Sequence, residues 1–287
     1  MDKLDLAIMR IKEASTMSLH YYEKPLLLTY SGGKDSDAVL EIAKIAGIPY
    51  EVQHSHTTAD APETVRHVRR KLHALEIESV PCMINYPVYK GKRTSMWDLI
   101  PQKLMPPTRL IRYCCAVLKE TAGRDRFIAT GVRWAESLRR KNTRGIYETI
   151  SPNVEQRVIL TNDNEDSRRL FEACFSRNSH VVNPIIEWSD ADVWDLLQDR
   201  KVECNPLYCE FSRVGCVGCP MAGRKGRERE FLRWPKYKRN YILAYDRMLE
   251  LRRQHGKPTM WIDGVDAFNW SMEYDVLPGQ IDLLEED

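Results

Sequence analysis

The chain has 287 residues, of which 43% are hydrophobic, and a formal net charge of +2 at pH 7. This length can bury one large core, or a core with a small appendage, and the small net charge gives no argument for a nucleic-acid or membrane partner. The N-terminal stretch MDKLDLAIMRIKEAS lacks a signal-peptide core, and no apolar run approaches the roughly 18 residues that span a bilayer. We therefore expect a cytoplasmic protein, in which eight cysteines favour metal or redox chemistry over disulfides.

Short apolar runs alternate with amphipathic segments through the first two thirds of the chain. The amphipathic segments predict helices, the first at residues 2–22 and the others at 35–47, 60–75 and 189–199, with Asp60 and Ser189 as N-caps. The apolar runs predict strands within residues 24–30, 49–56, 79–86, 125–133 and 180–188. This alternation predicts an α/β fold with a doubly wound, mostly parallel sheet, related to the Rossmann fold.

Two regions break the alternation. The Pro-, Lys- and Arg-rich segment from Val88 to Arg112 predicts a lid or loop. After about residue 200 a cysteine-bearing loop and a long basic helix follow, so we expect a nucleotide-binding domain at 1–200 and a helical subdomain at 201–287. The helix at 224–253 holds eleven Lys/Arg against four Asp/Glu, whereas 261–287 holds eight Asp/Glu and no Lys/Arg. The helix is either a basic contact surface or a solvated amphipathic face.

The sequence TYSGGKDSDAV places a flexible, charged corner between the first strand after the N-terminal helix and the next helix. Ligands of open α/β sheets gather at this edge of the sheet. Glycines let successive N–H groups point at one anion, the helix N-terminus attracts phosphate, and lysine adds a compact positive charge. Asp35 either holds Mg²⁺ or caps the helix. The residues predicted to bind the anion are Ser31, Gly32, Gly33, Lys34, Asp35 and Ser36.

This hexapeptide, SGGKDS, resembles the PP-loop of the ATP pyrophosphatases and adenine nucleotide α-hydrolase-like proteins. Three later segments resemble the phosphoadenosine phosphosulfate reductase family, in the family's order: GVRWAESLRR (131–140), NPIIEWSDADVWDLL (183–197) and NPLYCEFSRVGCVGCP (205–220). Together they cover roughly residues 20 to 225. The resemblance implies an adenine nucleotide α-hydrolase-like fold and chemistry at the α-phosphate of ATP or of an adenylylated nucleotide.

The resemblance also implies further nucleotide-binding residues. Guanidinium groups pair with phosphate or sulfate through two hydrogen bonds. Arg133, beside Gly131, is therefore a candidate, and so are Arg139 and Arg140, which can equally be exposed helix charges. Thr58, with its neighbours Thr57 and Asp60, can flank the nucleotide or simply begin a helix.

The informative cysteines are Cys114, Cys115, Cys216 and Cys219. Two pairs supply four thiolates, although adjacent cysteines suit structural zinc less well than the usual spacing. The same CC…CxxC arrangement is typical of the assimilatory adenylylsulfate reductases and of PP-loop proteins of DNA phosphorothioation. The resemblance implies a [4Fe-4S] cluster, with zinc, a redox disulfide or buried thiols as alternatives.

Other residues near the cysteine pairs have lesser predicted roles. Lys119 and Arg213 can offset the negative charge of a cluster. Cys204 and Cys209 are predicted spectators, either of which can instead be a reactive thiol or a substitute ligand. Cys82 and Cys174 are predicted to be buried, inert thiols.

The chain departs from the family pattern at one point. Sulfonucleotide reductases carry a nucleophilic cysteine near their C-terminus, and no cysteine follows Cys219 here. We therefore predict a PP-loop ATP pyrophosphatase of sulfur transfer, with Lys34, Asp35 and Arg133 as catalytic residues and Mg²⁺ as a cofactor. The expected partners are an adenine nucleotide, a sulfur-donor protein and a nucleic acid bound by the helix at 224–253. The alternatives are a sulfonucleotide reductase that uses Cys204 or Cys209, and a non-catalytic nucleotide-binding module.

Overall fold

A computed structural model describes residues 2–119, 123, 125–150, 158–163 and 179–273. Cys174 and most of the acidic C-terminal segment lie outside these residues. The chain forms two compact units, each built from three segments. The first unit comprises Met1–Ser55, Pro62–Asn85 and Ala122–Val214; the second comprises His56–Ala61, Tyr86–Thr121 and Gly215–Asp287. The predicted division into domains at 1–200 and 201–287 remains a prediction.

The first unit is built on a seven-stranded sheet. Its strands are β1 (Leu26–Thr29), β2 (Tyr50–Ser55), β3 (Cys82–Asn85), β6 (Phe127–Ala129), β7 (Tyr147–Ile150), β8 (Ile159–Leu160) and β9 (Ser179–Val182). They lie in the order β3-β2-β1-β6-β9-β7-β8. The five predicted strands pair in parallel, whereas β7 runs antiparallel to both of its neighbours.

Five α-helices belong to this unit in the described part of the chain. They are α1 (Lys3–Tyr22), α2 (Lys34–Ala46), α3 (Pro62–Ile77), α6 (Leu138–Thr143) and α7 (Asp190–Asp199). Capping fixes their ends: Gly47 follows α2 at φ 65°, and Ser189 caps α7 by accepting from Asp192 N–H. The apolar faces of α1, α2 and α7 pack with the central strands into one buried cluster. The predicted mostly parallel α/β fold is confirmed.

Two antiparallel strands, β7 and β8, were not predicted. Glu148 and Thr149 of β7 are buried polar residues, and β8 has only two residues. Neither strand therefore shows the continuous apolar run that marks a buried parallel strand. Asn183 joins this edge to the parallel strands, since its side-chain amide donates to Gly145 O and to Glu148 Oε1.

The second unit contains a hairpin and helices. The hairpin consists of β4 (Val88–Tyr89) and β5 (Lys92–Arg93), and the helices are α4 (Met96–Lys103), α5 (Tyr113–Leu118), α8 (Gly223–Arg233), α9 (Pro235–Gln254) and α10 (Gly264–Glu273). The predicted lid or loop at Val88–Arg112 therefore holds a hairpin and a helix up to Lys103, and 104–112 lie outside helices and strands. Ser95 caps α4, whose Leu99 and Ile100 are fully buried.

The predicted basic helix at 224–253 is two helices, α8 and α9. Pro235 begins the second one, because proline has no N–H to continue the first but suits a first helical turn. Trp234, Tyr241 and Tyr245 are buried, and the Tyr237 hydroxyl donates to Asp60 O. These aromatic rings pack inside the unit, as in the amphipathic alternative to a basic contact surface. Across the described residues, no helix is both long and apolar enough to cross a membrane.

Candidate functional site

The predicted anion-binding corner lies between β1 and α2 in the first unit. Gly32 adopts φ +75°, and a Cβ atom on it would lie 2.6 Å from Val68 Cγ2. Only glycine satisfies both the backbone angle and the space. The chain thus turns sharply enough to place the first amides of α2 at the carboxyl edge of the parallel strands.

The two serines of the corner hold its shape. The Ser36 hydroxyl donates to Gly33 O at 2.7 Å, and Ser31 donates to Ser36 Oγ from its amide at 3.3 Å and its hydroxyl at 3.2 Å. Ser31 itself is exposed, whereas Ser36 is buried. One serine therefore braces the turn, and the other remains accessible to a ligand.

Two cations and two carboxylates meet beside the corner. Lys34 Nζ lies 3.3 Å from Asp35 Oδ1 and 3.2 Å from Asp190 Oδ1. The buried Arg133 guanidinium donates from Nε to Asp35 Oδ1 at 2.7 Å, from Nη1 to Trp188 O at 3.0 Å, and from Nη2 to Asp190. Partial burial raises the pKa of Asp190, but hydrogen bonds from Arg133 and Lys34 outweigh it, so the pKa is lowered overall.

This ion-pair group includes three predicted residues and one unpredicted residue. Lys34, Asp35 and Arg133 were predicted as catalytic, and the structure brings them together. Asp190 was missed, although it lies in the quoted segment WSDADVW. An acidic residue in the first turn of a helix usually only stabilises the helix by interacting with its dipole. Asp190 is the most exposed member, with 68% of its side chain accessible.

The other predicted residues of the 131–140 segment are Gly131, Arg139 and Arg140, and only Gly131 lies against the corner. A Cβ atom on Gly131 would lie 2.8 Å from the backbone carbonyl of Asp35, so this glycine allows close contact with the start of α2. Arg140 pairs with Glu136 four residues earlier, and Arg139 is exposed on α6. The arginines of α6 are thus surface charges in this structure, unlike Arg133.

A buried polar group lies on the inner side of α2. The Tyr30 hydroxyl donates to Asp37 Oδ1 at 2.8 Å, and Lys71 Nζ lies 3.9 Å from the same oxygen. Burial raises the pKa of Asp37 to about 6, although Lys71 and the hydrogen bond from Tyr30 oppose the shift. His67 Nε2 lies 4.0 Å from Asp37 Oδ2, and burial lowers the pKa of His67 to about 4. Sequence reasoning missed this group because its members are scattered among apolar positions.

The segment NPLY also contacts the corner. Asn205 Nδ2 donates to Gly32 O at 3.0 Å, and the Lys34 amide donates to the Tyr208 hydroxyl at 2.9 Å. These side chains were not predicted as functional, although the segment itself was quoted for its resemblance. An Asn before Pro and a Tyr after Leu carry no local signal of a ligand site.

The four predicted metal ligands all belong to the second unit. Cys114 and Cys115 lie on α5, and Cys216 and Cys219 flank a tight turn in which Cys219 N–H donates to Cys216 O. Gly218 in this turn has φ +74°, and a Cβ atom there would lie 2.5 Å from Phe231. The turn is therefore fixed by glycine and by its contact with α8.

The strand-like segment 57–60 runs beside this turn. Asp60 forms an antiparallel bridge with Cys216, and the Cys216 thiol donates to Thr57 Oγ1 at 3.4 Å. Asp60, expected as a helix cap, uses Oδ2 to accept from Thr57 N–H. The Thr58 hydroxyl accepts from Met96 N–H. Thr57 and Asp60 thus contact the cysteine turn, and Thr58 binds the start of α4.

The four thiols share one electrostatic environment. The hydrogen bond between Cys114 and Cys115 raises the pKa of Cys114 and lowers that of Cys115, which Arg112 also contacts at 3.4 Å. Burial raises the pKa of Cys216 to about 11. The negative charge of Cys216, opposed by burial, raises the pKa of Lys119 above its usual range, and Asp60, Cys219 and Cys115 raise it further. Lys119 thus lies within the electrostatic reach of the cysteine pairs, and its role in offsetting the charge of a cluster stays a prediction.

The spacing of the sulfurs bears on the kind of metal. In the described residues no three of the four sulfurs lie within 4.8 Å of one another. Four thiolates on a single zinc ion would lie about 3.8 Å apart, given a Zn–S distance of about 2.3 Å. Fewer than three of these sulfurs therefore stand at the mutual spacing of a single zinc site.

The other described cysteines lie in the first unit. Cys82 is half-buried in β3, and burial raises its pKa to about 11, as befits an inert thiol. Cys204 donates to Val202 O at 3.5 Å, and Cys209 is exposed. Arg213 also belongs to this unit, and its role in offsetting the charge of a cluster stays a prediction.

Comparison with protein families gives one match, to the phosphoadenosine phosphosulfate reductase domain, over residues 25–222. An uncharacterized protein of Methanocaldococcus jannaschii is 23% identical over 245 residues, which are 83% of this chain and 46% of that protein. An uncharacterized protein of Escherichia phage 186 is 29% identical over 140 residues, 48% of this chain and 39% of that protein. The chain thus spans less than half the length of these curated relatives.

A shorter match joins the chain to a protein of known activity. The adenosine 5′-phosphosulfate reductase of Burkholderia cepacia is 35% identical over 60 residues, 21% of this chain and 24% of that enzyme. Among solved structures, the phosphoadenylyl-sulfate reductase of Candida auris aligns with a TM-score of 0.46 at 17% identity, over 73% of this chain and 87% of that one. The U34-tRNA thiolase NcsA of Methanococcus maripaludis, solved with its [4Fe-4S] cluster, aligns with a TM-score of 0.43 at 13% identity, over 88% and 81%.

Proposed function

The chain belongs to the phosphoadenosine phosphosulfate reductase domain family, and on that premise we propose that it is a PP-loop ATP pyrophosphatase of sulfur transfer. The observation that carries the proposal is the corner at 31–36, where a braced glycine turn, a helix N-terminus and the Lys34 ammonium lie together. Such a corner binds the phosphates of a nucleotide through backbone amides and one compact charge.

The proposed reaction has two redox-neutral steps. An acceptor oxygen attacks the α-phosphorus of ATP and loses its proton, the bond from that phosphorus to the bridging oxygen breaks, and pyrophosphate leaves. A hydrosulfide ion, delivered by a donor protein, then forms a bond to the activated carbon or phosphorus of the acceptor and loses its proton, and AMP leaves with the electron pair of the broken bond. Lys34 and the α2 amides stabilise the negative charge that develops on the phosphates, so the protein acts by positioning and electrostatics.

A divalent cation fits the carboxylates of this site. Asp35 and Asp190 present oxygen ligands, which Mg²⁺ prefers, and the side chain of Asp190 is largely exposed. When bound, Mg²⁺ supplies positive charge that neutralises nucleotide phosphates. Arg133 holds both carboxylates in place from the buried side, and it is therefore a positioning residue whose donors are already engaged.

We assign the cysteine pairs to a [4Fe-4S] cluster. Cys114, Cys115, Cys216 and Cys219 would supply its four thiolates, a donor set that is typical of such clusters. In this proposal Lys119, whose pKa is raised by Cys216, Cys219 and Cys115, offsets their negative charge. When bound, the cluster supplies redox-active iron and inorganic sulfide. The protein's own contribution is the fixed turn at Gly218 and the hydrogen bond from Cys216 to Thr57.

The acceptor in this proposal is a nucleic acid, and the basic surface of α8 and α9 binds its backbone. The charged side chains lie outside while the aromatic ones are buried, so the recognition is electrostatic and depends on salt. The exposed cations are Arg224, Lys225, Arg229, Arg233, Lys236, Lys238, Arg239, Arg247 and Arg253. Titration of the protein with fluorescent single-stranded RNA and DNA tests this surface, with an affinity that falls steeply as salt rises as the expected result.

One observation favours a second function, sulfonucleotide reduction. The exposed Cys209 directly follows Tyr208, whose hydroxyl accepts from the Lys34 amide, so a free thiol is the next residue in the chain after one that contacts the nucleotide corner. A thiolate there can attack the sulfate sulfur of adenylylsulfate, with AMP as the leaving group. The Cys209→Ser variant separates the two functions, because only the reductase needs this thiol.

The deciding experiment uses protein purified without oxygen and analysed for iron and sulfide. Pyrophosphate release is measured with ATP and the candidate acceptors, and sulfite release is measured with adenylylsulfate, its 3′-phosphorylated form and a thiol donor. Pyrophosphate without sulfite supports the proposal. Sulfite release supports the reductase, and tight nucleotide binding without either product leaves a non-catalytic binding module.

A further inference from the structure

The short helical turn Pro206–Cys209 is attached to the nucleotide corner at two points. Asn205, which is 1% exposed, donates from one amide nitrogen to Gly32 O and to Thr64 Oγ1, both at 3.0 Å. Three residues later, the Tyr208 hydroxyl accepts from the Lys34 amide at 2.9 Å. The two attachments fix the phenol oxygen against the first turn of α2.

Packing holds the phenol ring in the same place. The rings of Tyr208 and Trp194 meet edge to face with centroids 5.1 Å apart. On the other side, a Cβ atom on Gly33 would lie 3.1 Å from the Tyr208 oxygen. The hydroxyl therefore occupies the space that a side chain at position 33 would need, and it lies where the loop turns into the helix.

The hydrogen bonding of this hydroxyl is one-sided. It accepts from a first-turn amide of α2, which has no partner within the helix. In the described part of the chain, the phenolic proton itself is not donated to any acceptor. A hydroxyl that accepts from one group is polarised and becomes a stronger donor to the next. Burial, with Asp35 and Asp37 nearby, raises the pKa of Tyr208 well above its usual range, so the group stays a neutral donor.

We propose that Tyr208 belongs to the nucleotide site, where its hydroxyl donates a hydrogen bond to a phosphate oxygen held at the N-terminus of α2. This inference rests on the proposed nucleotide site and adds a residue to it. The Lys34 amide donates to the phenol, and the phenol donates in turn to the anion. The hydroxyl therefore contacts a part of a large anion that the amides of the turn do not touch. A tyrosine that only capped α2 would need to accept, and its proton would have no role.

The test compares Tyr208→Phe with Tyr50→Phe. The first change removes the hydroxyl and keeps the ring on Trp194. Tyr50 begins β2, and so it lies at the amino end of the parallel strands, opposite the corner. The full chain is titrated calorimetrically with adenosine, AMP, ATP and adenylylsulfate. For Tyr208→Phe we expect the affinities for the three phosphorylated ligands to fall at least about 10-fold, the scale of one hydrogen bond to a charged group. Adenosine binding stays unchanged, the melting temperature falls because the Lys34 amide loses its acceptor, and Tyr50→Phe matches the wild type throughout.

A second variant covers the case in which Tyr208→Phe does not fold. Gly33→Ala places a methyl group against the phenol oxygen, and since Gly33 has φ −105°, alanine adopts the same backbone. It should show the same selective loss for phosphorylated ligands. A lower melting temperature with unchanged ratios of ATP to adenosine affinity would overturn the inference, because Tyr208 would then only cap α2.

The outcomes for the inference and for the proposed function are distinct. Equal ATP affinities of the wild type and of Tyr208→Phe would overturn only the inference. Wild-type protein that binds adenylylsulfate but not ATP overturns the pyrophosphatase, and the role of Tyr208 is then decided with adenylylsulfate. Wild-type protein that binds none of the phosphorylated ligands overturns both.

Discussion

Arg133 Nε donates a hydrogen bond to Asp35 Oδ1 at 2.7 Å, although 98 positions separate the two residues in the chain. The guanidinium is 2% exposed and also pairs with Asp190. Lys34, with 9% of its side chain exposed, contacts both carboxylates as well. The corner therefore holds two cations against two carboxylates, and an incoming phosphate competes for the cations unless a divalent metal takes the carboxylates. Lys34 is the cation that can be exchanged, because among the described residues its ammonium contacts only the carboxylates, whereas Arg133 also donates to Trp188 O.

Lys34→Ala should weaken ATP binding at least about 10-fold and reduce pyrophosphate release in proportion, because the ammonium charge that pairs with the phosphates is lost. The fold should be retained, since Arg133 still pairs with both carboxylates. Lys44→Ala is the matched control: it lies in the last turn of the same helix and pairs with Glu78 at the surface. ATP titration of both variants checks the prediction. Equal ATP affinities for Lys34→Ala and Lys44→Ala would contradict it.

Gly131→Ala should destabilise the first unit by about 1–3 kcal/mol and weaken nucleotide binding with it. The added Cβ would lie 2.8 Å from the backbone carbonyl of Asp35, so the start of α2 must move. Gly226→Ala is the control, because its Cβ would meet only Ala222 at 3.5 Å, and alanine is the better helix former. Urea denaturation should show a lower midpoint for the first variant and an equal or higher one for the second.

Much of this site was predictable because its residues lie in continuous motifs. The glycine turn and Lys34 follow a strand directly, and Arg133 was found through its neighbour Gly131 within a recognisable segment. Tyr208 and Asp190 escaped notice because each acts through a partner more than a hundred residues away, Lys34 in both cases. A side chain's contact across that separation depends on the folded sheet, and no local pattern encodes it.

The fold was predicted where the period of the apolar residues was clear, and missed elsewhere for physical reasons. Two-residue strands such as Val88–Tyr89 are too short to show an alternation. The buried polar residues of Tyr147–Ile150 hide that strand from a search for apolar runs. The error at Pro235 was avoidable, because proline within a helical pattern marks a boundary.

Cys216→Ser should abolish iron binding in protein purified without oxygen, together with the brown colour and visible absorption of the cluster. Serine cannot replace a thiolate ligand of iron at this fixed turn. The control is Cys82→Ser, in which the changed residue is a half-buried strand thiol of the first unit. Iron, zinc and acid-labile sulfide are measured per chain. Colourless wild-type protein that holds one zinc ion would contradict the cluster assignment, and so would full iron in the Cys216→Ser variant.

The buried carboxyl of Asp37 makes a pH dependence of stability predictable. Burial raises its folded-state pKa from 3.8 to about 6. A raised pKa means that the folded state binds the proton more tightly, so this stabilising contribution is full below about pH 4 and is lost as the pH rises through about 6. The shift of about two pKa units corresponds to about 3 kcal/mol. The charged groups that face Asp37 are Lys71, His67, Asp35 and Glu203, with the Tyr30 phenol as hydrogen-bond donor.

Asp37→Asn removes this titration and keeps a neutral side chain of the same shape. The free energy of unfolding of the wild type minus that of the variant should therefore fall by about 3 kcal/mol between about pH 4 and pH 8. His67 is common to both proteins and cancels in the difference to first order; its depressed pKa alone makes each protein lose stability as the pH falls from about 6.5 towards 4. Denaturation with urea across this range measures the difference. A constant difference would show that Asp37 titrates alike in the folded and unfolded chains, and a rising one would show that the carboxylate is stabilised by Lys71.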